Sequence, residues 1–242
     1  MPQPALPFGP PGFQRDGFLV SASNAGAVLA VDRWRDWAGP AAALWGDAGS
    51  GKSHLAAIWT QDAGAVLIDG ADLDAPAMAR LMAAPRFALD GADRIADPER
   101  LLHLLIGLES EPERRALLTG RFAPALWATA PRDLVSRLAA MPAIAIGPPD
   151  DALLARVLRR LAAARGLSLE PETLAYLGAR MERSFAAAAA VVDAIEAQLG
   201  PGGRGARAGV TLARRALEQL RDFDQQSLDL SDDVGEMSGH DR

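Results

Sequence analysis

The chain has 242 residues, 49% hydrophobic and 23% charged, with a formal net charge of −6, which suits one large or two modest globular domains. Having no cysteine excludes disulfides, thiolate metal sites and cysteine nucleophiles, and fits a reducing, cytoplasmic setting. The acidity sits at one end: residues 221–242 hold seven carboxylates and two arginines, so the first 220 residues sum to about −1. Such a body lacks the basic surplus that tight autonomous DNA binding draws on. No apolar run nears the ~20 residues that span a bilayer, and Met1-Pro2-Gln3-Pro4 has no signal-peptide character, so no membrane association is expected.

Taken in order, residues 1–16 are rich in proline, glycine and phenylalanine and predict an extended, flexible arm. Within the arm Gln3, Leu6 and Phe8 are spaced Q-x-x-L-x-F, and Gln225, Leu228 and Leu230 repeat a similar spacing near the other end. Phe18-Leu19-Val20-Ser21 is strand-like, and Ser23, or less well placed Ser21, can cap a helix over about 24–37, whose Trp34 and Trp37 would pack on a sheet. An apolar strand at 41–45 then feeds a glycine-rich turn and the helix that begins with Leu55-Ala56-Ala57.

That turn, Gly46-Asp47-Ala48-Gly49-Ser50-Gly51-Lys52-Ser53-His54, matches the phosphate-loop pattern G-x-x-x-x-G-K-[ST] in the strand, loop, helix context it needs. Glycines let backbone N–H groups and the helix N-terminus face a phosphate, the lysine adds a compact cation, and the Ser53 hydroxyl can meet Mg²⁺. Lys52 is the only lysine in the chain, against 24 arginines. A composition that writes arginine elsewhere keeps an ammonium where a planar fork would not serve.

Beyond the loop, apolar strands at 65–68, 86–89, 115–119 and 143–146 alternate with helices near 75–83, 98–109 and 132–139, which predicts a five-stranded parallel sheet with helices on both faces over residues 17–147. After the hinge-like Gly147-Pro148-Pro149 the pattern is helical throughout, predicting a small all-helical domain over 148–223 with helices at 150–164, 170–181, 184–199 and 210–223. Residues 224–242 are acidic and lack aromatics, the composition of a disordered tail. Two strands end in Asp-Gly-Ala-Asp, offering Asp69 or Asp90 to a Mg²⁺ ion, and Asp90 is favoured because its strand lies closer to the loop in this class of ATPase. Gly91 stands where that class usually carries the acid that orients attacking water, so slow intrinsic hydrolysis is expected.

The loop with Gly51-Lys52-Ser53-His54-Leu55, the segment Phe18-Leu19-Val20-Ser21 with Asn24, and Leu134-Val135-Ser136-Arg137-Leu138 together resemble the AAA+ ATPases of the bacterial replication-initiator (DnaA) family, in particular its short regulatory members. The resemblance implies that ATP or ADP is held by residues 46–54 together with Leu19, Val20 and Asn24. It also implies that Arg137 is an arginine finger acting on a neighbour's nucleotide, and that Gln3, Leu6 and Phe8 dock on the DNA polymerase sliding clamp. DnaA itself, the clamp and further copies of the chain are the partners it implies. Two positions depart from the family: Arg121 stands at the first sensor, and Ala186 at the second, leaving Arg183 or Arg180 as imperfect substitutes. The implied function is a clamp-tethered regulator that stimulates ATP hydrolysis on the initiator. Its rivals are a non-catalytic nucleotide-dependent adaptor and a helicase-loader-like ATPase acting on DNA.

Overall fold

The computed structural model describes residues 15–200 and 205–222. Most of the expected arm, with Gln3, Leu6 and Phe8, and the expected tail, with Leu228 and Leu230, lie outside the described residues. Chain contacts divide the molecule into two compact units, one on each side of the Pro149–Asp150 junction.

The first unit is built on β1 (Ala41–Trp45), β2 (Val66–Asp69), β3 (Arg86–Asp90), β4 (Arg115–Gly120) and β5 (Ala143–Ala145), all parallel in the order β2-β3-β4-β1-β5. Parallel strands need crossover helices, and these cover both faces. On one face α3 (Ala75–Ala83), α4 (Pro98–Glu109) and α5 (Arg132–Ala140) pack Leu81, Leu104, Leu108 and Leu134 against Phe87, Leu89 and Leu118. On the other, α1 (Ala25–Asp32) and α2 (Lys52–Ala63) pack Val31, Leu55 and Trp59 against Leu44, Ala88 and Leu117. The neighbours Leu117 and Leu118 thus serve opposite layers, as the two-residue period of a strand requires. Asp74, Asp97 and Asp150 cap α3, α4 and the first helix of the second unit with side-chain bonds to backbone N–H groups.

The first helix is shorter than the pattern predicts. It stops at Asp32 and continues as a 3₁₀ turn over Trp34–Asp36, which lays Trp34 edge-on and Trp37 face-on against Trp59 at 6.1 and 5.9 Å. The expected cap at Ser23 is also corrected. Asn24 holds the N-cap position, and its side chain is turned back to the preceding segment, accepting from Ser21 N at 2.8 Å and donating to Leu19 O at 3.0 Å.

The second unit packs α6 (Asp151–Ala164), α7 (Pro171–Gly178), α8 (Phe185–Leu199) and α9 (residues 210–222) around Leu154, Leu158, Leu177, Val192, Ile195 and Ala216. It is helical but not all-helical. β6 (Ser168–Leu169) pairs in parallel with β7 (Arg207–Ala208), and the buried Thr173 hydroxyl donates to Ala208 O at 3.0 Å. Two-residue strands are too short to leave an alternating pattern. Among the described residues no helix is long and apolar enough to cross a membrane.

Candidate nucleotide-binding site

The phosphate loop leaves the C-terminal end of β1, a buried strand between β4 and β5, and ends at the first turn of α2. Gly46 is fixed there by sterics. It sits at φ +156°, and any Cβ would run into the Ile146 carbonyl oxygen on the chain leaving β5. The Lys52 ammonium folds over the loop and donates to Gly46 O and Asp47 O, both at 2.7 Å, with the buried Ser50 hydroxyl at 3.5 Å. Burial lowers the Lys52 pKa, the Asp90 and Asp93 carboxylates oppose that shift, and Arg121 adds to it. Asp90, Asp93 and Arg121, from the ends of β3 and β4, thus lie within electrostatic range of the ammonium.

Asp90 and Asp69 lie in register across β3 and β2, yet their surroundings differ. Asp69, farther out in the sheet order, is engaged by its own turn: it accepts from Ala71 N at 2.8 Å and pairs with Arg94 at 3.0 Å. Asp90 accepts from the Thr119 hydroxyl of β4, the strand between β3 and β1. Thr119, only 1% exposed, also accepts from Gly91 N at 2.8 Å. The sequence reading missed this role, although a buried polar residue in an otherwise apolar strand was the available signal. The Asp90 carboxylate and the exposed Ser53 hydroxyl are hard oxygen donors, chemistry that fits Mg²⁺. Among the described residues there is no three-residue cluster of metal-ligating side chains, and Mg²⁺ on a nucleotide characteristically uses one or two protein ligands with phosphate and water.

Gly91 has a conformation of its own. Its φ of +75° is left-handed, and a Cβ there would meet the Arg94 guanidinium. Gly91→Glu is therefore expected to destabilise the protein by about 1–3 kcal/mol, seen as a lowered Tm, rather than to install a water-orienting acid. A variant with unchanged Tm and raised ATPase would contradict this.

Phe18 stacks edge-on to His54 at 5.0 Å, which brings the Leu19–Val20 segment against the first turn of α2. Val20 is exposed, whereas Asn24 is 2% exposed and its amide is committed to Leu19 and Ser21. Asn24 accordingly shapes the segment instead of reaching outward from it. At the first-sensor position the Arg121 side chain is exposed while its backbone N–H donates to Asp93 Oδ2 at 2.7 Å. Arg183 belongs to the second unit, where it follows α7 and pairs with Asp151 at 2.7 Å. Ala186 is an exposed residue in the first turn of α8.

Arg137 lies elsewhere in the first unit. On α5, it shares a small hollow with Gly39, Pro40 and Ala41 at the N-terminal start of β1, the end opposite the phosphate loop. Five residues of strand separate those ends by about 13–17 Å. The Arg137 side chain is 24% exposed, and its guanidinium bridges Glu109 of α4 and Asp133 of α5, carboxylates that raise its pKa. It cannot serve the phosphate loop of its own chain.

Domain III of the replication initiation protein DnaA from Thermotoga maritima matches this structure with a TM-score of 0.71 at 14% identity, over 87% of this chain and 97% of that one. The fold is DnaA-like AAA+. AMPPCP-bound DnaA from Aquifex aeolicus shares the AAA+ fold at TM-score 0.66 and 16% identity, over 88% and 71% of the two chains. The Thermotoga maritima RuvB Holliday junction branch migration motor shares it at 0.63 and 16%, over 86% and 72%. No family model matches the chain, and no curated relative matches it.

Proposed function

We propose that this protein is a cytoplasmic nucleotide-binding regulator of chromosomal replication initiation, of the kind represented by Hda. On this reading ATP or ADP with Mg²⁺ occupies the Lys52 loop. The arm docks on the sliding clamp through Gln3, Leu6 and Phe8, and Arg137 is presented to ATP held by the initiator DnaA. The observation that carries the reading is the separation of Lys52 and Arg137 to opposite ends of β1. A guanidinium so placed can neutralise transition-state charge only on another subunit. The likeness to DnaA domain III supports the choice of partner.

The test mixes ATP-loaded initiator, DNA-loaded clamp and this protein. Initiator ATP should disappear faster than with the clamp alone, and Gln3→Ala/Leu6→Ala should abolish the gain while leaving nucleotide binding intact. No gain over the clamp control would overturn the reading.

A non-catalytic adaptor is the second reading. The left-handed Gly91 and the carboxylates already on Arg137 favour it. It predicts clamp binding and an unchanged rate of hydrolysis on the initiator.

A further inference from the structure

Strands β2 and β3 run into the same four residues, Asp-Gly-Ala-Asp, yet the first carboxylate of each set is held differently. Asp69 has both oxygens occupied. Its Oδ1 accepts from Ala71 N at 2.8 Å and from the Arg94 guanidinium at 3.0 Å, and its Oδ2 accepts from Arg94 at 3.1 Å. Asp90 has one oxygen occupied: Oδ1 accepts from the Thr119 hydroxyl, and among the described residues no hydrogen bond or ion pair reaches Oδ2. This carboxylate is half-buried and lies within electrostatic range of the Lys52 ammonium.

The hydroxyl that holds Oδ1 has its proton directed. The buried Gly91 N–H lies 2.8 Å from Thr119 Oγ1, and a backbone N–H can only donate, so the oxygen accepts there and its own proton goes to Asp90. Thr119 is among the least exposed residues of the sheet, which removes water as a competitor, and its β-branched side chain has few χ1 choices. Its strand lies between β3 and β1, where Thr119 pairs in register with Leu44, two residues before Gly46 of the phosphate loop. One oxygen of Asp90 is thereby tied to the sheet and the other is left unspent.

We infer that Thr119 is a positioning residue for a divalent cation on the bound nucleotide: its hydroxyl fixes Asp90 through Oδ1 and reserves Oδ2 as a hard oxygen donor. Hydrogen-bond partners that orient a metal-ligating side chain are worth about 10–100-fold in metal affinity. On the reading that the Lys52 loop holds a nucleotide with Mg²⁺, on which this rests, removing the hydroxyl loosens the ion and leaves the phosphates held.

Mn²⁺ serves as the probe, because it suits the same oxygen ligands as Mg²⁺ and the free ion is counted directly by electron paramagnetic resonance. With the full chain in excess over ADP, Thr119→Val, which keeps the branched shape and removes the hydroxyl, should weaken Mn²⁺ binding to the protein–ADP complex about tenfold or more. ADP affinity in EDTA should change less than about twofold, since the metal is absent there. Thr119→Ser keeps the hydroxyl and should hold Mn²⁺ within about threefold of the parent protein. In an Asp90→Ala background, Thr119→Val should cost nothing further, because the hydroxyl acts through that carboxylate alone. Parent-like Mn²⁺ affinity in Thr119→Val, or an equal further loss on top of Asp90→Ala, would overturn the inference and leave the nucleotide site standing. If the valine variant does not fold, the serine variant decides: retained Mn²⁺ affinity upholds the role, and a loss of about tenfold overturns it. Failure of the parent protein to bind ADP in EDTA would instead remove the nucleotide reading itself.

Discussion

Replacing Lys52 with alanine is expected to weaken ADP and ATP binding at least a hundredfold, about 2.7 kcal/mol, with helix and strand content unchanged. Isothermal titration calorimetry on the purified variant checks it, with circular dichroism as the control for folding. The magnitude follows from position. The ammonium sits half-buried on the Gly46 and Asp47 carbonyls, and its pKa is already lowered by burial. A bound polyphosphate would replace those weak acceptors with full negative charge, an exchange worth much more in a partly desolvated site than in water. Lys52→Arg should fail almost as badly, because a planar fork cannot take a compact three-donor position on two loop carbonyls. An ADP Kd for Lys52→Ala within threefold of the parent protein would remove the nucleotide site from the account.

Arg137→Ala should cut the initiator's stimulated ATP hydrolysis by about 10³-fold or more, while this protein's own ADP affinity changes less than twofold. The split is the informative part. A guanidinium at the far end of β1 has no route to its own phosphate loop, so a matching loss of ADP affinity would mean that the substitution had damaged the fold. Single-turnover hydrolysis of labelled ATP on the initiator, with calorimetry on this protein, measures both quantities. The carboxylates that hold Arg137 are exposed, Glu109 at 51% and Asp133 at 54%, and pairs of that kind are worth little in water. They can give way to a triphosphate at small cost. Unchanged initiator hydrolysis with Arg137→Ala would leave the adaptor reading.

Much of this architecture could be read from the sequence because its signals were of the strong kind. Strands such as Arg86–Asp90 are apolar runs bounded by Pro85 and Gly91, and α4 begins with an Asp97-Pro98 cap and first turn, so the alternation of a parallel sheet was explicit. The phosphate loop was legible for the same reason: its glycines, its lysine and its place after a buried strand all describe one backbone shape. What escaped were features set by contacts across the sheet. Nothing local to Thr119 says that its hydroxyl bridges Asp90 and the Gly91 N–H, because β3 and β4 meet only after folding. Asn24 is a second case: the resemblance groups it with Leu19 and Val20 at the nucleotide, and nothing local says that its amide is bonded to Leu19 and Ser21. The two-residue strands β6 and β7 are joined by two register pairs, Ser168 with Arg207 and Leu169 with Ala208, each 39 residues apart in sequence, a distance over which sequence pattern carries no signal.

One consequence of the β1 geometry concerns assembly. A molecule with its phosphate cradle after one end of a strand and its guanidinium beside the other is directional, like a link with a hook and an eye. Hook-to-eye contact is heterologous, so it cannot be satisfied by a closed twofold pair and continues into rings or filaments until a subunit lacking one of the two ends is added. This chain has both ends, so under the proposed function contact between its own copies predicts growth past a dimer, which light scattering across a concentration series would show.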